Sequence, residues 1–429
     1  MAQVRPFRAI RYSAPNISAL AAPPYDILNE QDKALLLARS SHNVVSVDLP
    51  QAPAKVAGPP HIYEEAGRAF RGWVSEGVLK QDPEPALYVY HQDYTYHERA
   101  FTRKMFFAQL RLEEFGRGQI FPHEQTFGGP KEDRLMLTRA VRANLSPIFG
   151  LYPDQANEVI GALDAQTHRQ PDSMATLDGV ENRLWLVTDR TVVDRVCELM
   201  RSKSVFIADG HHRYGTSLMY RDELMRQGNV LADDHPANHV LCVLAGMEDP
   251  GLLILPTHRV LCDLPMVTTA ALRETLANRF EILQSAHAHD GPRLVESLAS
   301  HGPQAFAAYS SVDDDAIILN PRDRDMLTGY EPERAPAWRR FSLSILHRYV
   351  LNEVVASRFL AGGQPVIHYI KDDAGALADA KENRGIAFMV QPATMQELRD
   401  ICTAGELMPQ KSTYFFPKLA TGMVINPLS

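Results

Sequence analysis

The run Val205-Phe206-Ile207-Ala208-Asp209-Gly210-His211-His212-Arg213-Tyr214 constrains the fold more than any other stretch, because an apolar β-rich segment breaks on Asp-Gly and passes straight into a helix-like one. Tyr214, Leu218, Met219 and Leu224 recur at helical spacing, so the reading is strand, tight turn, helix, with His211, His212 and Arg213 in the first helical turn. A helix N-terminus exposes unpaired N–H groups and the positive end of its dipole, and Gly210 lets a phosphate approach the backbone closely. Cations in that turn oppose the dipole by about 0.3–1 kcal/mol each at exposed positions. An external anion is the expected compensation. Arg213 can fork onto phosphate oxygens, His211 and His212 can add positive charge, and Asp209 can hold a metal ion or accept a proton. The plainer alternative makes Asp209 a cap, Gly210 a turn residue and the histidines partners of nearby carbonyls.

The remaining composition narrows the classes. A chain of 429 residues with 45% hydrophobic content can bury a large core, enough for about two or three domains or one elaborated unit. A net charge of −8 argues against a basic surface for nucleic acid. Cys197, Cys242, Cys262 and Cys402 are scattered without CxxC spacing, which predicts reduced core thiols and neither a zinc site nor a disulfide framework. With no apolar run long enough to span a membrane, a soluble cytoplasmic protein is expected.

Along the chain, Pro23-Pro24-Tyr25-Asp26 is a stiff turn that either caps an element or lines a pocket with Tyr25 and Asp26, and a helix over 29–40 follows with Asn29 as its cap. Residues 61–76 read as a helix, and 87–90 and 103–112 as strands of a hairpin around a polar segment at 91–99. Residues 120–132 have loop chemistry, carrying His123, Glu124, Thr126 and a Gly-Gly-Pro-Lys sequence that ends on Lys131; a helix with acids in its first turn, and with Arg134, is expected from 133 to 143. That loop is no Walker A motif, because Lys131 is not followed by Ser or Thr, yet it can lie over phosphates. Strands at 148–152 and 183–188, a helix at 191–200 and the central strand form an α/β pattern. His258 and Arg259 interrupt an apolar β pattern at 252–261, as edge residues or as site residues, and a buried guanidinium there calls for an anionic partner. Asp313-Asp314-Asp315 reads as a solvated hairpin tip, and 341–359 as one amphipathic helix in which His347 is incidental. Near the end, Lys411, Ser412, Thr413 and Lys418 sit in a Pro-bracketed segment that either approaches bound phosphates or protects an edge strand.

Two resemblances rest on these residues. The DGHHRY turn after an apolar strand resembles the signature turn of the ParB/sulfiredoxin superfamily, in the DGHHR form of free serine kinases. The whole chain resembles the DUF-1015 family through PPYD at 23–26, PHEQT at 122–126, NLSPIF at 144–149, the central turn, LPTHR at 255–259 and MPQKSTYF at 408–415. The resemblance implies a mixed α+β fold of α/β type, with a ParB/sulfiredoxin-like core at about 85–265 inside a region spanning 1–265 and a C-terminal α/β region over 266–429 that returns its lysines to the site. It implies phosphoryl transfer with ATP or ADP and Mg²⁺ onto a small hydroxyl compound, free L-serine first. Glu124 then matches the essential glutamate of serine kinases, and Glu124, Asp209 and His211 are the catalytic candidates, with Asp209 the metal ligand. Gly210, His212, Arg213, Lys411, Ser412, Thr413 and Lys418 are expected to hold nucleotide phosphates, and Tyr25, Asp26, His123, Thr126, Lys131, Arg134, His258 and Arg259 to line the substrate pocket. The reverse reaction on O-phosphoserine and a non-catalytic, nucleotide-binding ParB-like regulator remain alternatives. Neither nucleic acid nor membrane is an expected partner, and a homodimer is allowed.

Overall fold

In the computed structural model, which describes residues 2–126, 128–228, 231–264 and 266–428, the chain divides into two units. One comprises Met1–Leu253 with Pro417–Ser429, the other Ile254–Phe416. The first holds a mixed sheet of β1 (Val4–Arg5), β2 (Leu87–Tyr96), β3 (Arg99–Arg111), β4 (Ile120–Phe121), β5 (Ile148–Tyr152), β6 (Ser173–Leu177), β7 (Val180–Val187), β8 (Val205–Asp209) and β9 (His239–Gly246). Their order among the described residues is β4-β8-β5-β9-β3-β2-β7-β6, with β1 beside β3. Only β8 with β4 and β9 with β5 run parallel among these pairs. The fold is thus α+β within the α/β class, as expected.

The apolar run at 205–208 is a strand covered on both faces: Val205 to Ala208 are buried and Asp209 emerges at its end. Val205, Ile207, Ile148, Leu244, Phe106 and Trp185 share one core with Val196 and Met200 of α2 (Arg190–Arg201). Each such side chain contributes roughly 1.5–3 kcal/mol on full burial. The register of β8 against β5 shifts between Ile207 and Asp209. A bulge at that point bends the strand and re-aims the Asp209 side chain. Helix α3 (His211–Arg226) follows. Its inward face differs from the periodicity: Tyr214 is buried, but so are His211, Thr216, Ser217 and Tyr220, whereas Met219 is exposed.

Two local readings are corrected. The polar segment 91–99 is mostly strand, because the hairpin turns only at His97 and Glu98, both at positive φ, and Tyr94 stacks on its cross-strand partner Phe101. The Gly-Gly-Pro-Lys sequence is no loop but the first turn of α1 (Gly128–Val141), a position where proline's missing N–H costs nothing. Glu132 and Asp133 therefore lie beyond the first turn.

The second unit is an antiparallel sheet ordered β11-β13-β12-β15-β10-β14 among the described residues, from β10 (His258–Cys262), β11 (Phe280–Gln284), β12 (Phe306–Ser310), β13 (Asp315–Pro321), β14 (Val366–Ile370) and β15 (Ile386–Val390). Helices α4 (Gly291–Leu298) and α5 (Asp373–Glu382) cover one face through Leu294, Leu298, Ala376, Leu377 and Ala380. The aspartates 313–315 lie at the β12–β13 turn, as expected. The helix expected over 341–359 spans 342–359, with Leu346–Val355 wound as π-helix.

Candidate functional site

Gly210 carries the change from strand to helix. Its φ of +89° is left-handed, which favours glycine, and a Cβ there would crowd Arg213 Nε at 3.0 Å and Ile148 Cα at 3.1 Å. Lacking a side chain, it gives the first-turn N–H groups of α3 no side-chain cap.

Asp209 is the hub of the charges. Its Oδ1 accepts from the Gly210 N–H at 2.7 Å and lies 3.5 Å from Arg213 Nη2, and its Oδ2 accepts from Lys418 Nζ at 2.7 Å. Burial pushes this carboxyl up, but the Lys418 ammonium and then the Arg213 guanidinium outweigh it and hold the group well below the usual carboxylate range. The cations at the helix end are thus met by a carboxylate from within the chain, where an external anion was the expected compensation. Asp26 and Asp48 also act on the Arg213 guanidinium, so several carboxylates face the cations beside a helix end that has no side-chain cap.

Lys418 reaches this point because residues 417–428 return to the first unit, where Asn426–Pro427 pairs with Ala143–Asn144 and Ile425 bridges Ile10. The fully buried Arg103 donates to the Pro417 carbonyl at 2.6 Å, and Gln92 to the Lys418 carbonyl at 3.0 Å. Burial brings the Arg103 guanidinium down to about 10, and its charge lies over the Phe149 ring at 5.0 Å.

The two buried histidines are neutral. The His123 Nδ1–H donates to the Ile207 carbonyl at 2.6 Å, while its main-chain N–H donates to His211 Nε2 at 3.2 Å. Their rings meet edge to face at 4.6 Å. Burial lowers His123, and burial followed by His123 lowers His211 further. His211 therefore serves as a hydrogen-bond acceptor in the turn and not as the phosphate-facing cation that its position suggests. His212 and Glu124 are partly exposed.

On the other side of Arg213, whose Nη1 donates to the Pro147 carbonyl, lies Tyr25. Its ring sits beneath two guanidiniums, Arg134 at 3.9 Å and Arg213 at 5.8 Å. Asp26, next to it, is exposed. Arg134 is held by Asp133 through Nε at 2.7 Å and by the Asp48 carbonyl through Nη1 at 2.5 Å. Ser146 donates to Asp48 Oδ2 at 2.5 Å. Tyr25, Asp48, Arg134, Asn144, Ser146 and Arg213 contribute to the lining of a small cavity of ≈ 40 Å³, room for a few waters or a hydroxymethyl-sized group. Asp48, Ser146, Arg103 and Gln92 were not singled out from the sequence. PPYD and NLSPIF flank this cavity, and that shared motif content was the available signal for Ser146; none pointed to Asp48. Lys131 and Thr126 are partly exposed, and the Lys131 carbonyl accepts from Thr216 of α3 at 3.3 Å.

The other expected site residues fall in the second unit. His258 is fully buried, with Nε2 2.7 Å from Asp373 Oδ1 and Nδ1 accepting from the Val390 N–H. Arg259, also fully buried, meets no carboxylate among the described residues: it donates to His347 Nε2 at 3.0 Å and to the carbonyls of Thr257, Gln410 and Lys411, and faces the Tyr369 ring. Carbonyls and a ring face satisfy the guanidinium in place of the anion expected, and burial brings it down to about 10. His347 is thus no bystander. Ser412 is buried on the Pro409 carbonyl, Lys411 is exposed at positive φ, and Thr413 is partly buried.

For Mg²⁺ the fit is conditional. Among the described residues no group of three His, Cys, Asp or Glu ligand atoms gathers at Asp209, so any ion there would take its remaining ligands from substrate phosphates and water. Asp209 offers such an ion an oxygen only by exchanging it for Lys418.

A family model described as "Protein of unknown function (DUF1015)" matches residues 4–340. No curated protein matches the chain. Among solved structures, a free serine kinase in complex with AMP is similar, with a TM-score of 0.33 and 14% identity over 69% of this chain and 83% of that one. SbnI with C-terminal truncation, from Staphylococcus aureus, has a TM-score of 0.35 and 13% identity over 72% of this chain and 84% of that one. Among the described residues no helix is long and apolar enough to cross a membrane.

Proposed function

The chain belongs to the DUF1015 family, and from that premise we propose that it is a phosphotransferase, a nucleotide-dependent kinase that converts a small hydroxyl compound, free L-serine first, to its phosphate ester. The observation that carries the reading is the Asp209 cluster: Lys418 and Arg213 held on one carboxylate beside a helix N-terminus with no side-chain cap. The DGHHR turn that builds it resembles that of free serine kinases.

In this reading the α3 N–H groups, His212, Arg213 and Lys418 hold the nucleotide's phosphate oxygens. The acceptor hydroxyl oxygen forms the new P–O bond, the bond to the leaving diphosphate (ATP) or monophosphate (ADP) breaks, and the hydroxyl proton passes to a carboxylate. Asp209 is a poor proton acceptor because its two cations hold it ionised. Glu124, partly exposed and adjacent to His123, takes that role, and Asp209 positions Lys418 and Arg213. Mg²⁺, when bound, neutralises phosphate charge. The cavity beside Tyr25 and Ser146 is the proposed acceptor pocket.

The test incubates the full chain with Mg²⁺, L-serine and either ATP or ADP, with O-phosphoserine followed by mass spectrometry. A parallel arm follows phosphate release from O-phosphoserine without nucleotide, which reports the reverse chemistry. The reading is wrong if neither nucleotide yields product and Arg213→Ala leaves nucleotide-induced thermal stabilisation unchanged.

A further inference from the structure

Away from the phosphate-facing turn, three side chains of the second unit converge on one point. In β10 and β14, Val260 lies opposite His368 and Cys262 opposite Val366. Cys262 and His368 are therefore diagonal neighbours on one face of the sheet. Helix α5 covers that face through Ala376, Leu377 and Ala380, which share a core with Val260 and Cys262, and from it Asp379 joins the pair. Cys262 Sγ lies 3.4 Å from His368 Nδ1, and Asp379 Oδ2 lies 2.9 Å from the same nitrogen. Asn383 Nδ2 donates to Asp379 Oδ1 at 3.2 Å, which orients the carboxylate.

Thiol and carboxylate face the same ring nitrogen. A Cys-His-Asp proton relay places them on opposite nitrogens, so this arrangement is not one. With a Nδ1–H directed to Asp379, the sulfur faces a donor that is already committed, and the thiol's own hydrogen bond is a long one to the Val260 carbonyl at 4.0 Å. A cation at the point of convergence satisfies all three groups.

We propose that Cys262, His368 and Asp379 form a binding site for a borderline-soft divalent transition-metal ion of the Zn²⁺ class. Zn²⁺ bonds of about 2.3 Å to sulfur and about 2.0–2.2 Å to nitrogen and oxygen place tetrahedral donors roughly 3.3–3.6 Å apart. The donor atoms here lie within 4.8 Å of one another, with the two measured edges close to that spacing, and among the described residues no other such trio of His, Cys, Asp or Glu forms. Sulfur and imidazole donors favour zinc-class ions over Mg²⁺ or Ca²⁺. The His368 side chain is 43% exposed, so solvent can supply the fourth ligand. His368 and Asp379 lie beyond the family-matched residues 4–340, so the site does not follow from family membership, nor from the phosphotransfer reading.

The full chain, stripped with chelator, is titrated with Co²⁺ as spectroscopic probe and then with Zn²⁺. A single equivalent of Co²⁺ should give a sulfur-to-cobalt charge-transfer band that Zn²⁺ abolishes, and Cys262→Ser should remove the band. His368→Ala, at a half-exposed position, should weaken binding by more than the roughly 10–100-fold that loss of an outer-shell partner costs, while the melting temperature of the metal-free chain stays close to wild type. The proposal is overturned if the wild-type chain shows no such band, if the band survives Cys262→Ser, or if His368→Ala binds as tightly as wild type.

Discussion

Replacing Lys418 by Ala removes the nearer of the two cations facing Asp209. The paired side chains are 17% and 20% exposed, between a surface bridge worth about 0–1 kcal/mol and a buried one whose one-sided removal costs roughly 3–5 kcal/mol. Arg213 remains 3.5 Å from the carboxylate and offsets part of the loss. A destabilisation of about 1–2 kcal/mol at neutral pH follows. The pH dependence has a definite sign. Asp209 is held low in the folded chain, so its contribution is complete above the unfolded value of about 3.9 and is lost as pH falls through the depressed folded value. The gap between wild type and Lys418→Ala should be full above about pH 5 and narrow below about pH 4. Urea unfolding followed by tryptophan fluorescence reads it, since Trp185 is buried in the core of the first unit. Moderate salt should change the gap little, because a partly buried pair is weakly screened. The reasoning fails if the variant lies within about 0.5 kcal/mol of wild type, or if the gap at about pH 3 equals that at about pH 7.

Gly210→Ala forces a left-handed residue against Arg213 and should cost about 1–2 kcal/mol in urea unfolding; an unchanged midpoint would mean the turn is not built as described. Glu124→Gln should reduce O-phosphoserine formation at least about 10²-fold with little change in melting temperature, and a variant as active as wild type would remove Glu124 from the chemistry. Burial and then Arg259 bring His347 down to about 3. Between about pH 6.5 and that value the unfolded chain holds the extra proton, so stability falls as the pH falls, by at most about 1.4 kcal/mol per pH unit. His347→Gln should flatten this acid branch, and identical slopes in thermal melts across that range would refute the assignment.

Elements with a local cause were legible. Asn29 caps its helix with a reciprocal capping box to Asp32, the 205–209 strand and 211–226 helix stand where the apolar run and the Asp-Gly break place them, and the 313–315 aspartates sit at a hairpin turn. The start of α1 was misread because Gly-Gly-Pro favours turns by propensity, while α1 packing against α3 through Leu135 and Tyr220 overrides it. The partners of Arg259 were also hidden, since a main-chain carbonyl leaves no trace in side-chain pattern.

Sequence alone determined that a polar turn of Asp, Gly, His, His and Arg would follow a buried strand and open a helix, because strand burial, the glycine conformation and helical periodicity are local properties of the chain. Only the tertiary structure decided how those groups are charged. Lys418 meets Asp209 across 209 positions, and His123 meets His211 across 88. Whether an imidazole is neutral or a carboxylate clamped depends on burial and on neighbours brought close by folding, and no spacing in the sequence encodes either.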